Sequence, residues 1–204
     1  MQNAEIYDIV VSMLAVAVAF SVPVLLSEPS AIPVVIPIIL VTVGLGFLLH
    51  ELAHKYVAQR YGAYAVYRAW PQGLGLMLLL AFITGGRFFI AAPGAVYIFA
   101  PYIRRRENGI ISLAGPLTNL ALAVVFGFVF MMSGGGLGAT SPDILQVVQA
   151  ISLIGARVNL FLGLFNMLPI FPLDGSKVLA WNGGVWFGYI IAVILVSFAF
   201  GVPI

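Results

Sequence analysis

Cysteine is absent from the 204 residues, which excludes a disulfide framework, a thiolate metal site and a cysteine nucleophile. Charge is scarce as well. Only 8% of residues are Asp, Glu, Lys or Arg, against about a quarter in an ordinary soluble domain. The net charge of +2 comes with no basic patch interleaved with aromatics, so nucleic acid is excluded as a partner. No internal repeat recurs at a fixed period, and the 204 residues leave no room for an appended soluble domain. Residues 1–8 carry Glu5 and Asp8 but no lysine or arginine, and no small-x-small cleavage site follows the first apolar run. That run therefore reads as a retained span and not as a secretory signal.

What the chain does have is apolar length. Hydrophobic residues make up 62% of it, in runs near 9–26, 31–50, 109–132, 144–168 and 185–204. Each approaches the roughly 20 residues needed to cross a bilayer. The expectation is a polytopic α-helical membrane protein with about five transmembrane helices, a single membrane-embedded domain over residues 1–204. Seven of the nine basic residues (Lys55, Arg60, Arg68, Arg87, Arg104, Arg105 and Arg106) fall between the second and third spans. The positive-inside rule puts that segment, and with it the amino terminus, in the cytoplasm of a cell-membrane protein, and the Ser133–Pro142 linker outside.

Both histidines of the chain stand in His50-Glu51-Leu52-Ala53-His54, at the end of the uncharged run Ala31–Leu49. On a helix each residue turns by roughly 100°, so His50 and His54 share one face, one turn apart, and both rings reach a single Zn²⁺. Glu51 projects beside them, where a carboxylate can take a proton from a water that the metal activates. A catalytic zinc usually has three protein ligands. Glu5, Asp8, Glu28, Glu107 and Asp143 flank spans where water can solvate them, which leaves Asp174 as the third candidate by elimination. Pro169 and Pro172 break the fourth helix just before it and free carbonyls, which suits a cavity at that depth. The plainer reading is that the two prolines end a helix and Asp174-Gly175 makes a surface turn.

His50-Glu51-Leu52-Ala53-His54, together with Asn166-Met167-Leu168-Pro169-Ile170-Phe171-Pro172-Leu173-Asp174-Gly175 in a later span, resembles the paired motifs of the site-2 protease family. These are intramembrane zinc metalloproteases that cleave transmembrane segments of other proteins. Gly115-Pro116-Leu117-Thr118-Asn119 matches a G-P-x-x-N element of the family's middle core helix, so the likeness covers three core spans, about residues 31–180. The resemblance implies His50, His54 and Asp174 as ligands of one Zn²⁺, Glu51 as the catalytic base, and Asn166 as an oxyanion or substrate contact. It gives Asn119 no duty. It also implies a small sheet dipping into the membrane, and the PDZ or CBS modules that some members append are missing here.

A helical substrate hides its carbonyls in hydrogen bonds, so something must hold it unwound. The β-rich candidate segment is 63–100. Leu74–Ile83 is too short to span, and Phe88–Ala91 and Ala95–Phe99 flank Pro93-Gly94 like a hairpin; all three read as strands whose edge can pair with substrate. The competing reading is a re-entrant loop that only packs against helices. Arg157, inside the fourth span, is expected to face the interior, beside the cavity or paired with a carbonyl. Trp70, Trp181 and Trp186 read as interfacial anchors. The alternative function is a metal-ion transporter or channel using the same cluster. A transporter would show ligands at several depths or repeated broken helices, and this chain has one cluster and no repeat.

Overall fold

A computed structural model describes residues 3–88, 93–134 and 144–203. Among them are five helical segments long and apolar enough to cross a membrane: Asn3–Ser27, Pro29–Arg60, Arg105–Met132, Ile144–Asn166 and Gly183–Phe200. The protein is a polytopic helical membrane protein with one small sheet. The first span is α1 (Asn3–Ser27). The second is built from α2 (Ile32–Ile39), a single π turn over Leu40–Gly44, and α3 (Leu45–Arg60). The π turn matters for the site that follows. Within it the Thr42 carbonyl accepts from Asn159 Nδ2 at 3.4 Å.

After α3 come strand β1 (Tyr64–Ala69), α4 (Pro71–Ile83) and strand β2 (Gly94–Phe99). α5 (Arg105–Met132), α6 (Ile144–Asn166), α7 (Asp174–Trp181) and α8 (Gly183–Phe200) complete the chain. Helix ends are satisfied locally. Glu107 Oε2 accepts the Arg104 N–H at 2.9 Å where α5 begins, and Asn182 Oδ1 accepts the Val185 N–H at 3.1 Å where α8 begins.

Two apolar clusters flank α3. One joins Val16, Ala19 and Val22 of α1 to Val43 of the π turn and Met77 and Ala81 of α4. The other joins Ala123 of α5, Ala156 and Leu160 of α6, Val178 of α7 and Val193 of α8.

Two expectations for the segment between the second and third spans need correction, and one for α1. Leu74–Ile83 is helical and not a strand: Pro71 occupies the first turn, and an isolated apolar segment at membrane depth satisfies its backbone more completely as a helix. Ala95–Phe99 does form a strand, but its partner is Tyr64–Ala69, antiparallel, with Tyr67 opposite Val96. Of the expected first hairpin strand, 89–91 lies outside the described residues, as does 135–142 of the Ser133–Pro142 linker. Finally, Glu5 is not solvated. It is 2% exposed, receives Lys55 Nζ at 2.5 Å and accepts the Tyr67 N–H at 3.0 Å.

The ladder explains that last contact. The Trp70 N–H donates to the Pro93 carbonyl at 3.0 Å, so hydrogen-bonded pairs fall at alternate positions from there, and the backbone groups of Tyr67 and Val96 point away from each other. Tyr67 N–H meets Glu5 on the α1 side. Val96 N–H meets Glu51 at 3.1 Å on the other. Tyr67 Oη further donates to Ser12 Oγ at 2.8 Å, and Arg68 pairs with Asp8 at 3.3 Å, so α1 closes the β1 edge.

Candidate metal centre and active site

α3 carries His50 and His54 on one face, their ring centroids 4.6 Å apart and their Nε2 atoms 2.9 Å apart. The other nitrogen of each ring decides the chemistry. His54 Nδ1 lies 2.7 Å from the Ile111 carbonyl oxygen, which can only accept. His50 Nδ1 lies 2.6 Å from Asn119 Oδ1, while the Asn119 amide nitrogen donates to the Gly46 carbonyl at 3.2 Å and to Asn159 Oδ1 at 3.0 Å. The Asn119 orientation is thereby fixed, with its oxygen toward His50. Both Nδ1 atoms are the protonated ones, and both Nε2 atoms present lone pairs.

Asp174 Oδ2 stands 3.3 Å from His50 Nε2 and 3.0 Å from His54 Nε2. Three lone-pair donors thus converge within 4.8 Å with no proton of their own between them, the donor set of a bound cation. The backbone leaves space for one. A Cβ on Gly115 would sit 2.5 Å from His50 Nε2 and closer still to His54 Nε2, so only glycine keeps that pocket open beside the histidines. The residues fit zinc: two neutral imidazoles and one carboxylate, each imidazole held by an oxygen acceptor behind it.

Asp174 reaches the histidines because α6 ends at Asn166 and the chain doubles back through Pro169 and Pro172, so that Asp174 opens α7. Gly175 permits the fold-back, since a Cβ there would collide with the Met167 carbonyl. Trp186 Nε1 donates to the same carbonyl at 2.7 Å, so Trp186 braces this segment and is more than an interfacial anchor. Asp174 Oδ1, the oxygen turned from the histidines, has Lys177 Nζ 3.7 Å away.

Glu51 is not in the ligand set. It lines a cavity of about 740 Å³ together with His50, His54, Asp174, Asn166 and Gly94–Ile98 of β2. Asn166 uses one amide N–H on the Leu162 carbonyl at 2.9 Å, which leaves its second N–H and its oxygen for the cavity. All five expected site residues therefore border one space. Arg157 does not: it is exposed on α6 and does not line the cavity.

Four features escaped the motif reading. Asn119 turns out to hold His50, and Asn159 holds Asn119. An amide buried in an apolar span is itself a signal, which the sequence offered at both positions. The Ile111 carbonyl and the Val96 N–H leave no trace in residue identity.

Comparison with known proteins agrees with zinc as the metal. No family model matches the chain, and no solved structure matches it significantly. The chain is 44% identical over 182 residues to a protein of Methanocaldococcus jannaschii named "Putative zinc metalloprotease MJ0611", covering 89% of this chain and 86% of that one. It is 30% identical over 160 residues to "Putative zinc metalloprotease YwhC" of Bacillus subtilis, covering 70% and 68%. A third relative, "Putative zinc metalloprotease Rip3" of Mycobacterium tuberculosis, is 32% identical over 131 residues, 64% of this chain and 27% of that one. With the His50, His54 and Asp174 cluster set in a five-span helical fold, this chain belongs to that family of zinc metalloproteases, the site-2 protease family.

Proposed function

We propose that this protein is an intramembrane zinc endopeptidase that hydrolyses peptide bonds within or near the transmembrane segments of other membrane proteins, as in regulated intramembrane proteolysis. The observation that carries the reading is the placement of Glu51. An unligated carboxylate adjoins the His50, His54 and Asp174 cluster and opens onto a large cavity between spans. When bound there, zinc supplies Lewis-acid activation of a water and of the scissile carbonyl.

The chain's own residues do the rest. His50, His54 and Asp174 hold the metal. Glu51 takes the proton from the attacking water as its oxygen bonds to the carbonyl carbon, and delivers that proton to the amide nitrogen as the C–N bond breaks. Asn166 has an amide N–H to donate to the developing oxyanion. The outward edge of β2 offers backbone groups to an extended substrate, in the strand-addition mode of recognition. Val96 N–H, on that edge, already meets Glu51, so a substrate strand that takes the Val96 N–H also releases the base.

The orientation follows the charge. Lys55, Arg60, Arg68, Arg87 and Arg104–Arg106 support a cytoplasmic position, at the cell membrane, for the 55–106 segment and the zinc-site end of the spans. Cysteines introduced at Arg68 and Arg105 should label from the cytoplasmic side and one at Ser133 from outside; reversed labelling overturns the orientation.

The deciding experiment is purified protein with stoichiometric zinc, reconstituted with a single-span peptide. Glu51→Gln should keep the zinc and lose cleavage, because a general base is not a ligand. Wild-type turnover in Glu51→Gln would remove Glu51 from the mechanism. Zinc retained in full by His54→Ala would remove the cluster.

A further inference from the structure

Arg157 is the charge that the site does not use. It stands 13 residues after Ile144 and nine before Asn166, so helix rise puts it about 20 Å from one end of α6 and about 14 Å from the other. Its side chain is exposed, and among the described residues no hydrogen bond or ion pair engages it. An arginine on the outer face of a membrane span is costly there unless a partner or a watery cleft meets it.

The face it occupies leads to the zinc site. Ile154, Arg157, Phe161 and Phe165 succeed one another at spacings of three and four residues, one stripe along α6. Ile154 and Phe161 are 40% and 53% exposed. Phe161 and Phe165 stack with centroids 5.9 Å apart and line the cavity, across from Val16 and Phe20 of α1. The stripe is therefore continuous from an exposed cation to the wall of the catalytic cavity.

Among the described residues no carboxylate is free to neutralise Arg157. Glu5 is taken by Lys55, Asp8 by Arg68 and Glu107 by the start of α5; Glu28 lies between α1 and α2; Glu51 and Asp174 belong to the site. Among the described residues, then, no carboxylate lies on the outward face of a span near its middle. A second copy of the chain would bring the same set and leave the same cation unmatched.

We propose that the Ile154–Arg157–Phe161 stripe is the docking surface for the substrate's transmembrane segment, and that Arg157 selects segments carrying a carboxylate within the membrane. This rests on the reading of the protein as an intramembrane protease. The separation of Arg157 from Asn166 sets the spacing. The carboxylate lies about four residues from the scissile bond if the intervening substrate is extended and about nine if it is helical, on the side toward the Ile144 end of α6.

The test uses the full chain in liposomes with single-span peptides that share a central Asn-Gly break and differ only in Glu or Gln at one position four to nine residues from it. Binding to the Glu51→Gln variant, read by energy transfer between labels, separates docking from chemistry. At one or more positions the Glu peptide should bind at least about tenfold tighter than its Gln counterpart. Arg157→Gln should abolish that preference and leave zinc content and binding of the Gln peptide within about twofold, while Arg157→Lys keeps most of it. Equal binding of the Glu and Gln peptides at every position overturns the proposal. So does a preference that survives Arg157→Gln, or a loss under Arg157→Gln that falls on both peptides alike, which would mark a residue that only anchors α6. A carboxylate preference without any cleavage by the wild-type protein would instead refute the protease reading and leave the docking surface standing.

Discussion

The two flanks of α3 are held together by different means. On the side of α5, α6 and α7, amide and imidazole side chains are matched to named atoms: Asn119 to Gly46 and Asn159, Asn159 to Thr42, His54 to the Ile111 carbonyl. On the side of α1, α4 and the sheet, a buried ion pair and two strand edges carry the polar contacts, and the edge facing the cavity is engaged by Glu51 through Val96. The first flank fixes atoms to within the tolerance that metal ligation demands. The second presents backbone, which is chemically the same for every residue and so suits substrates of varied sequence. Precision in one flank and permissiveness in the other is what the proposed cleavage of transmembrane segments requires.

The sharpest way to break this comparison is to fill the space that the first flank keeps empty. Gly115→Ala should leave no zinc detectable by elemental analysis and no proteolysis, because the added Cβ overlaps the two Nε2 atoms. Gly75→Ala, whose Cβ would meet nothing within 4 Å, is the matched control and should behave as wild type. Full zinc in Gly115→Ala would mean that the first flank is as pliable as the second.

A buried pair tests the second flank. Lys55→Met strands the Glu5 carboxylate, 2% exposed, without its cation and should destabilise the fold by about 3–5 kcal/mol in denaturant unfolding in detergent. Adding Glu5→Leu should recover most of that loss, since replacing both members removes the stranded charge. A double variant no better than the single would show that the Tyr67 N–H contact to Glu5 matters more than the ion pair.

Asn119 should matter less than Gly115 and differently. Asn119→Ala leaves the ligand in place but frees His50 to rotate, so zinc affinity should drop about 10–100-fold with the fold intact. Asn119→Asp keeps an acceptor for His50 Nδ1 and should recover part of it. Competition with a calibrated chelator reads both, and unchanged affinity in Asn119→Ala would detach the asparagine from the metal.

The same contrast decides what the sequence made legible. The clustering of His50, His54 and Asp174 was readable because imidazole and carboxylate side chains in recognisable motifs carry the chemistry, and the five spans because bilayer thickness imposes length. Leu74–Ile83 was misread because ten apolar residues suit a strand and a short helix alike, and the choice rests on backbone satisfaction at membrane depth and on packing against α1. The pairing of Ala95–Phe99 with Tyr64–Ala69 was missed because it is a long-range choice that no local pattern encodes. Glu5 was misplaced because its partner Lys55 lies 50 residues on, in another span. Side-chain chemistry is written in residue names; backbone edges and distant partners are not.

The smallest expected effect lies where the flanks face each other across the cavity, at Lys177. Its ammonium stands 3.7 Å from Asp174 Oδ1 with the side chain 34% exposed, so the pair is solvent-screened and weak. It acts on the oxygen that the histidines do not face, where it would favour Asp174 holding a metal through Oδ2 alone and would keep a coordination position free. Lys177→Met should therefore cost zinc affinity no more than about 1 kcal/mol, roughly fivefold, with protein stability unchanged. Turnover should fall further than affinity, because a carboxylate free to ligate through both oxygens occupies the position that catalysis needs. Lys177→Arg, which keeps the cation, should restore turnover. If Lys177→Met lowers affinity and turnover in equal proportion, Lys177 only tightens the metal, and the open position owes nothing to it.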